Sequence, residues 1–176
     1  MANQFNSPTA IIIETERLLI RKITQKDFND LDFICSNAEI MKFVGDGNPL
    51  SKEQTQRWID VTLKNYREKG FGVFAVIDKC SGVFIGYCGL VFSEQVNDYE
   101  LIYTLSKASW GQGLATEIAN HMVAFGFDTL QMKCIYASID PENRASQNIL
   151  LKVGFTELCK MNDEFGLESI YYQIKR

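Results

Sequence analysis

Proline is scarce in this sequence, with three residues in 176, and no glycine- or serine-rich tract marks a linker. We therefore expect a polar, frayed leader at residues 1–10 and a single domain at residues 11–176. No apolar run approaches the ~18 residues that a transmembrane helix requires. Because the start of the chain also lacks the basic segment and apolar core of a signal peptide, we expect a cytoplasmic protein.

Basic clusters are absent, and the formal net charge is −4. We therefore expect no nucleic-acid partner and no binding to an anionic membrane. The mild acidic excess suits an amine-bearing substrate, although it is equally usual for a soluble globular protein. Hydrophobic residues make up 46% of the chain, which is enough to build a substantial core.

The cysteines are five in number, widely spaced, and include no Cys-x-x-Cys pair. Most lie inside apolar stretches, which favours buried free thiols over disulfides or a zinc site, and we expect no metal. The single histidine, His121, falls on a predicted helix, and we interpret it as structural or partly exposed. A catalytic cysteine would want a histidine partner, so we expect none here.

Apolar periodicity divides the chain into alternating strands and helices. The predicted strands are residues 11–23, 72–78, 83–92, 99–105, 133–139, 155–160 and 167–174. The predicted helices are residues 25–37, 51–70, 114–127 and 143–153, with Thr24 and the Ser51/Gln54 pair as N-terminal caps. We expect a mixed α/β fold that begins antiparallel and contains one βαβ-like crossover between the strands at 99–105 and 133–139.

The stretch between those two strands carries the clearest functional signal. A strand at residues 99–105 leads through Trp110-Gly111-Gln112-Gly113 into a helix that opens with Leu114-Ala115-Thr116-Glu117. Glycine lets a ligand approach the backbone closely, and the start of a helix offers unpaired N–H groups at its positive end. A phosphate is the natural occupant. An ordinary strand–loop–helix joint explains this stretch equally well.

Two nucleotide-binding motifs are excluded. No Gly-x4-Gly-Lys-Ser/Thr string exists, which rules out a Walker P-loop. A dinucleotide fingerprint would need a third glycine where Thr116 stands and a carboxylate about 20 residues on, where the chain has Gln131 and Lys133.

A third motif fits. The segment resembles the Gln/Arg-x-x-Gly-x-Gly/Ala turn of the GCN5-related N-acetyltransferases, with Trp110 in place of Gln or Arg and matches at Gly113 and Ala115. The sequence WGQGLATE at residues 110–117 is similar to the RimJ/RimL-type branch of that family. So are TERLLIR at 15–21, IGYCGL at 85–90, and the Asn143/Ser146 pair followed by Lys152, Gly154 and Phe155. Together the matches span residues 11–174 in order.

The resemblance implies a central, mostly antiparallel sheet with about four flanking helices, whose fourth and fifth strands splay apart to admit acetyl-coenzyme A. Backbone N–H groups of residues 112–116 would bind the pyrophosphate, and fourth-strand backbone would pair with the pantetheine arm. Asn143 would hydrogen-bond that arm, or act only as a helix cap. The implied cofactor-binding residues are Thr104, Leu105, Trp110, Gly111, Gln112, Gly113, Leu114, Ala115, Thr116, Asn143 and Ser146.

The chemistry implied is direct attack of an amine on the thioester in a ternary complex. The amine must be neutral to attack. At pH 7 a Lys-like amine of pKa ~10.4 is neutral in about one molecule in 2,500, whereas an α-amine of pKa ~8 is neutral in roughly a tenth of molecules. A catalytic base therefore matters more for the Lys-like amine. Glu100 matches the family carboxylate that acts as base in some members, or it is a solvated or ion-paired strand residue. Leu150 replaces the usual tyrosine acid, which leaves Ser146 as candidate donor to the thiolate, or as an ordinary first-turn residue.

The acceptor pocket is the feature that the sequence predicts least well. Phe43, Trp58 and Phe71 are candidate lining residues, although an aromatic residue is more often part of the core. The resemblance admits a protein N-terminal α-amine or a small-molecule amine, and a monomer or a homodimer. The alternative function is a catalytically silent coenzyme A-binding sensor or assembly module.

Overall fold

The structure is a computed structural model that describes residues 10–176, so the predicted leader lies outside the described residues apart from Ala10. Eight strands form one sheet: β1 (Ile11–Glu14), β2 (Leu18–Lys22), β3 (Val73–Asp78), β4 (Phe84–Ser93), β5 (Asp98–Leu105), β6 (Cys134–Ile139), β7 (Thr156–Asn162) and β8 (Glu168–Lys175). Their order across the sheet is β1-β2-β3-β4-β5-β6-β8-β7. All neighbours are antiparallel except β5 and β6, which are parallel and joined by the predicted crossover.

Five α-helices cover the two faces of the sheet: α1 (Phe28–Cys35), α2 (Ala38–Met41), α3 (Lys52–Lys69), α4 (Leu114–Ala124) and α5 (Arg144–Val153). Short 3-10 turns occupy Gln25–Asp27 and Lys107–Ser109, and a π turn extends α4 over Phe125–Thr129. One apolar cluster packs α4 and α5 against the sheet and contains Leu101, Ile118 and Leu150, whereas a second packs α1 and α3 on the other face and contains Ile34, Ile59 and Tyr87. Among residues 10–176 no helix combines the length and apolarity needed to cross a bilayer.

The capping signals in the sequence mark the helix starts correctly. Thr24 forms a capping box with Asp27, and Ser51 forms one with Gln54. Gly70 and Gly154 end α3 and α5 in the left-handed region, with φ of 83° and 102°. These local rules hold because each satisfies backbone groups that the helix itself leaves unpaired.

The predicted strand at residues 11–23 is wrong, because the chain turns back at residues 15–17. The Thr15 hydroxyl accepts a hydrogen bond from the Leu18 amide at 2.8 Å, which closes a hairpin between β1 and β2. The predicted helix at 25–37 is a 3-10 turn plus α1, and α2 follows it as a short fifth helix where about four helices were expected.

The cysteines and the histidine are placed as follows. All five cysteines are free thiols, but only Cys35 and Cys88 are buried, so the expectation that most are buried is wrong. Burial raises the pKa of the Cys35 thiol to about 12. His121 is partly exposed, with its Nδ1 at 2.8 Å from the Glu117 carbonyl oxygen.

The glycines of the IGYCGL segment permit close contact between strands. A Cβ on Gly86 would meet the Thr104 carbonyl oxygen and lie 2.7 Å from Leu105 Cδ2. A Cβ on Gly89 would meet the Gly72 carbonyl oxygen. Both positions therefore lack space for any side chain, and they allow β3, β4 and β5 to pack without gaps.

The parallel pair β5–β6 separates almost as soon as it forms. Glu100 and Tyr136 are its only paired position, although β5 continues to Leu105 and β6 to Ile139. On its other side β6 pairs with β8 along its whole length. The sheet therefore splays between β5 and β6, as the sequence resemblance implies for the fourth and fifth strands of the family.

Candidate active site

A glycine loop at the start of α4 presents a row of unpaired amides. Gly111 and Gly113 adopt φ of 73° and 76°, a conformation that glycine reaches without strain. Within residues 10–176 nothing accepts a hydrogen bond from the backbone N–H groups of Gln112 to Thr116, and the first amide of the helix to find a partner is that of Glu117. The positive end of the α4 dipole therefore faces the loop with its donors free.

Space around the loop is open. A Cβ on Gly111 would have no heavy atom within 4 Å, and one on Gly113 would meet only Arg17 Nη2 at 3.8 Å. A groove of about 360 Å³ lies alongside. It is lined by Glu16, Arg17, Asp78, Lys79, Cys80, Gln112 and Leu114. Residues 111–113 are exposed, so an anion can approach the loop that carries the free amides.

The loop is held by the turn between β1 and β2. Arg17 donates from Nη1 to the Gln112 carbonyl at 2.8 Å and from Nε to Glu117 Oε2 at 2.7 Å. Thr15 donates its hydroxyl hydrogen to Glu117 Oε1 at 2.5 Å. Although burial opposes it, these hydrogen bonds from Thr15 and Arg17 hold the pKa of the Glu117 carboxyl below its usual value. The contact between these two segments was not predicted from the sequence.

Trp110 is tied to the end of β5 by a hydrogen bond. Its indole Nε1 donates to the Leu105 carbonyl oxygen at 2.8 Å, and the residue is 44% exposed. Thr104 is buried, with Tyr87 as its cross-strand neighbour on β4. Because of the hydrogen bond from Trp110, the Leu105 carbonyl is already an acceptor within the protein. The same bond fixes the end of β5, where the gap between β5 and β6 is open.

Glu100 lies at the point where β5 and β6 part. It is 7% exposed, and its Oε2 accepts a hydrogen bond from the Ser138 hydroxyl at 2.7 Å. Alternation along β5 places it with Ile102 and Thr104 on the α1/α3 face. A buried carboxylate with a single hydroxyl donor retains capacity to accept a further hydrogen bond from a bound group.

The start of α5 lies beside the splay. The Asn143 side chain accepts a hydrogen bond from the Ser146 amide at 3.1 Å. Asn143 therefore acts as the helix cap, one of the two roles predicted for it. Leu150 is fully buried in the core. On β5 the hydroxyl of Tyr103 is buried without a hydrogen-bond partner among residues 10–176, close to Ser146. The sequence signal that could have predicted this position is the alternation of Tyr103 with Leu101 and Leu105, which points all three towards α4 and α5.

Of the three aromatic residues predicted to line the acceptor pocket, the structure brings two together. Trp58 and Phe71 lie on a groove of about 420 Å³ beneath the end of the β4–β5 hairpin, with Tyr99, Ile102 and Glu164. Phe43 lies outside this groove, and its ring is covered by the Lys42 ammonium at 4.6 Å. The contribution of Glu164, from the turn between β7 and β8, was not predicted.

Comparison with known proteins identifies the class that this sheet, splay and loop define. Residues 17–156 match the model of the acetyltransferase (GNAT) domain. The chain is 30% identical to the N-acetyltransferase YoaA of Bacillus subtilis over 145 residues. The aligned region covers 82% of this chain and 82% of YoaA. It is 24% identical to spermidine N(1)-acetyltransferase of Escherichia coli, over 86% of this chain and 80% of that one.

The fold agrees with a solved structure of RimL, a ribosomal-protein α-N-acetyltransferase in complex with coenzyme A. The TM-score is 0.79 at 15% identity, over 94% of this chain and 97% of that one. The chain belongs to the acetyltransferase (GNAT) family and is therefore an acyltransferase. The family and the fold predicted from the sequence are confirmed.

Proposed function

We propose that this protein transfers the acetyl group of acetyl-coenzyme A to a primary amine, by direct attack within a ternary complex. The observation that carries the proposal is the row of unpaired, accessible amides at residues 112–116, next to a splayed strand pair. Such a row at a helix N-terminus is suited to two linked phosphoryl groups. When bound, acetyl-coenzyme A supplies an acetyl group activated as a thioester.

The residues present fit this molecule. The N–H groups of Gln112 to Thr116 would hold its pyrophosphate, and Gly111 and Gly113 leave room for the backbone to approach it. Arg17 would add positive charge beside them, since its guanidinium is half-exposed at the loop. The gap next to residues 101–105 would receive the pantetheine arm, with Asn143 and Ser146 at its edge.

Glu100 would accept the proton that the attacking amine must lose, directly or through a water molecule. Its burial at the apex of the splay supports this role, because it lies on the face opposite to α4 and α5. The amine would then approach from the α1/α3 face and the coenzyme from the other. The Ser138 hydroxyl would hold the carboxylate in place through its 2.7 Å hydrogen bond.

The aromatic groove would take the body of the acceptor. Its walls include Trp58, Phe71 and Tyr99, and its charged groups are the carboxylate of Glu164 and the ammonium of Lys69. A polyamine brings several positive charges, and a groove with no net charge of its own offers them no net Coulombic attraction. We therefore propose an acceptor with one amine and an apolar body, as in a peptide with an apolar first residue or a small arylalkyl amine.

The test is thiol release from acetyl-coenzyme A with a panel of amines. The panel contains apolar and polar N-terminal peptides, phenethylamine, spermidine and an aminoglycoside, at matched concentrations. We expect the highest kcat/KM with apolar monoamines and α-amines. Turnover of spermidine alone would overturn the acceptor class, and coenzyme A binding without turnover of any amine would favour the silent module.

A further inference from the structure

The strand β7 forms one border of the sheet and is exposed along its length. It is the last strand in the sheet order, and within residues 10–176 it pairs with β8 alone. Six of its seven residues are exposed, and the seventh is half-buried. A bare edge offers unpaired N–H and C=O groups, which makes it a template for pairing with another strand. An edge of this length therefore needs either protection or a partner.

Two residues of β7 direct their backbone groups to this outer edge. The Asp163 amide donates to the Leu167 carbonyl oxygen at 2.9 Å, so Asp163 faces β8. Bonded and non-bonded pairs alternate along an antiparallel ladder, so Lys160, three residues earlier, faces outward. The register shifts between Glu157 and Cys159, and this bulge turns Glu157 outward as well. The backbone groups of Glu157 and Lys160 are therefore free to pair with a second strand.

The bulge also puts these two side chains on one face of the sheet. Glu157 lies opposite Tyr172, and Lys160 lies opposite Ile170; both of those core residues pack on the α4/α5 side. On a regular strand, residues three apart would point to opposite faces. Glu157 and Lys160 are exposed, and neither forms an ion pair with another of residues 10–176. The outer edge therefore carries one negative and one positive charge on a single face.

We propose that β7 pairs antiparallel with β7 of a second copy of this chain, so that Glu157 lies opposite the partner's Lys160. Because a two-fold axis repeats every contact, Lys160 then lies opposite the partner's Glu157. This register forms two opposite-charge pairs, which stabilise neighbouring strands. Each paired position also exchanges backbone hydrogen bonds across the interface. The two eight-stranded sheets join into one continuous sheet.

The same charges disfavour other registers. An axis centred on Lys160 places two ammonium groups opposite each other, and an axis centred on Glu157 does the same with two carboxylates. Lysines and bulges on an edge strand also serve to prevent pairing, and this protection is the competing explanation. Protection needs charge of either sign. Self-pairing needs opposite charges at two outward positions of one face, which is the arrangement that β7 has.

The proposed interface covers an apolar side chain and leaves both grooves open. Leu158 lies between the two charged positions and is 46% exposed, so pairing would bury it. No residue of β7 lines the groove beside the glycine loop or the aromatic groove. Pairing at β7 is therefore compatible with ligands at both places. It does not depend on the proposed acetyl transfer, so it can be tested without any substrate.

Sedimentation equilibrium of the full chain measures the dimer, at concentrations up to about 100 µM. Wild type should dimerise. Glu157→Lys and Lys160→Glu should each weaken the dimer by about tenfold or more, because two attractive pairs become two repulsive ones. An equimolar mixture of the two variants should restore a dimer, since each chain then meets the opposite charge at both positions. Glu168→Lys is the matched control, because it makes the same charge change on β8, which has a strand on either side, and should dimerise as wild type.

Each result decides the question. A monomeric wild type over that range overturns the proposal, as does a dimer that neither Glu157→Lys nor Lys160→Glu weakens. Two weakened variants that stay monomeric when mixed also overturn it, since their charges then do not meet across one interface. Should either variant fail to fold, amide exchange in the wild type decides instead. The amides of Glu157 and Lys160 should exchange more slowly as the protein concentration rises, and rates independent of concentration overturn the proposal.

Discussion

Arg17 and Glu117 are a hundred residues apart in the chain and form a contact in which the Arg17 Nη2 lies 2.6 Å from Glu117 Oε2. The pair joins the β1–β2 turn to the first turn of α4. The same guanidinium also holds the Gln112 carbonyl, so its charge and its geometry both act on the glycine loop. Two sequence segments that looked independent therefore form one support for the proposed pyrophosphate site.

The Glu117 carboxylate should stabilise the fold at neutral pH and lose this effect in acid. Its folded-state pKa is below the unfolded value of ~4.3, so the stabilisation is present above that pH and is lost as the pH falls through the folded pKa. Glu117→Gln should lower the Tm by about 2–4 °C at pH 7 and by much less at pH 3. Thermal unfolding across pH measures this, with the exposed Glu68→Gln as control; a constant difference at all pH values would contradict it.

Gly113→Glu should abolish coenzyme A binding and leave the fold in place. The residue has a positive φ, so any side chain adds strain, and a carboxylate at the end of the α4 dipole would compete with the pyrophosphate. Calorimetry should show at least a hundredfold weaker binding, which corresponds to about 2.7 kcal/mol. Gly166→Glu is the matched control, since Gly166 has φ of 77° and open space around it. Unchanged affinity in Gly113→Glu would remove the loop from the site.

Local rules in the sequence predicted the elements that local physics controls. The Thr24 cap and the Ser51/Gln54 capping box depend on groups within a few residues of one another. The apolar period of α4 likewise determined which face it buries. For these elements neighbouring residues alone decide the conformation.

The parts that were missed depend on partners far along the chain. The turn at Thr15 interrupts an otherwise continuous β-branched run, and it is stabilised by Glu117 as well as by Leu18. The placement of Glu164 on the groove and the isolation of the Tyr103 hydroxyl follow from how β5, β7 and α5 pack. The hydrophobic periodicity of the sequence cannot predict contacts between residues so far apart in the chain.

Gly89→Ala should destabilise the protein by about 1–3 kcal/mol, the usual cost of an overpacked core position. A Cβ there would meet the Gly72 carbonyl oxygen and lie 2.8 Å from Val73 Cα, and neither can move without disturbing the β3–β4 pairing. Gly72→Ala is the matched control, because its Cβ would make only ordinary contacts at 3.5 Å or more. Denaturant titration should separate the two variants, and equal stabilities would show that the strands can adjust.

Glu100→Gln should slow acetyl transfer by about 10²-fold with near-normal affinity for coenzyme A. The loss should be greater for an amine of pKa ~10.4 than for an α-amine near ~8, because the first depends more on a base. The pH–rate profile should therefore move to higher pH. Ser138→Ala retains the carboxylate and removes its hydrogen bond, so it should show a smaller effect. An unchanged profile in Glu100→Gln would leave this residue with a structural role only.

Glu164→Gln tests whether the aromatic groove binds the acceptor. Its carboxylate is exposed at the groove wall, so its attraction for a cationic amine is partly screened by solvent. We expect KM for the amine to rise about two- to fivefold, with kcat and the coenzyme A dissociation constant unchanged. Lys69→Gln removes the opposing charge on the same groove and should lower KM. If both variants behave as wild type with every amine that is turned over, the acceptor binds elsewhere and the groove has no part in its recognition.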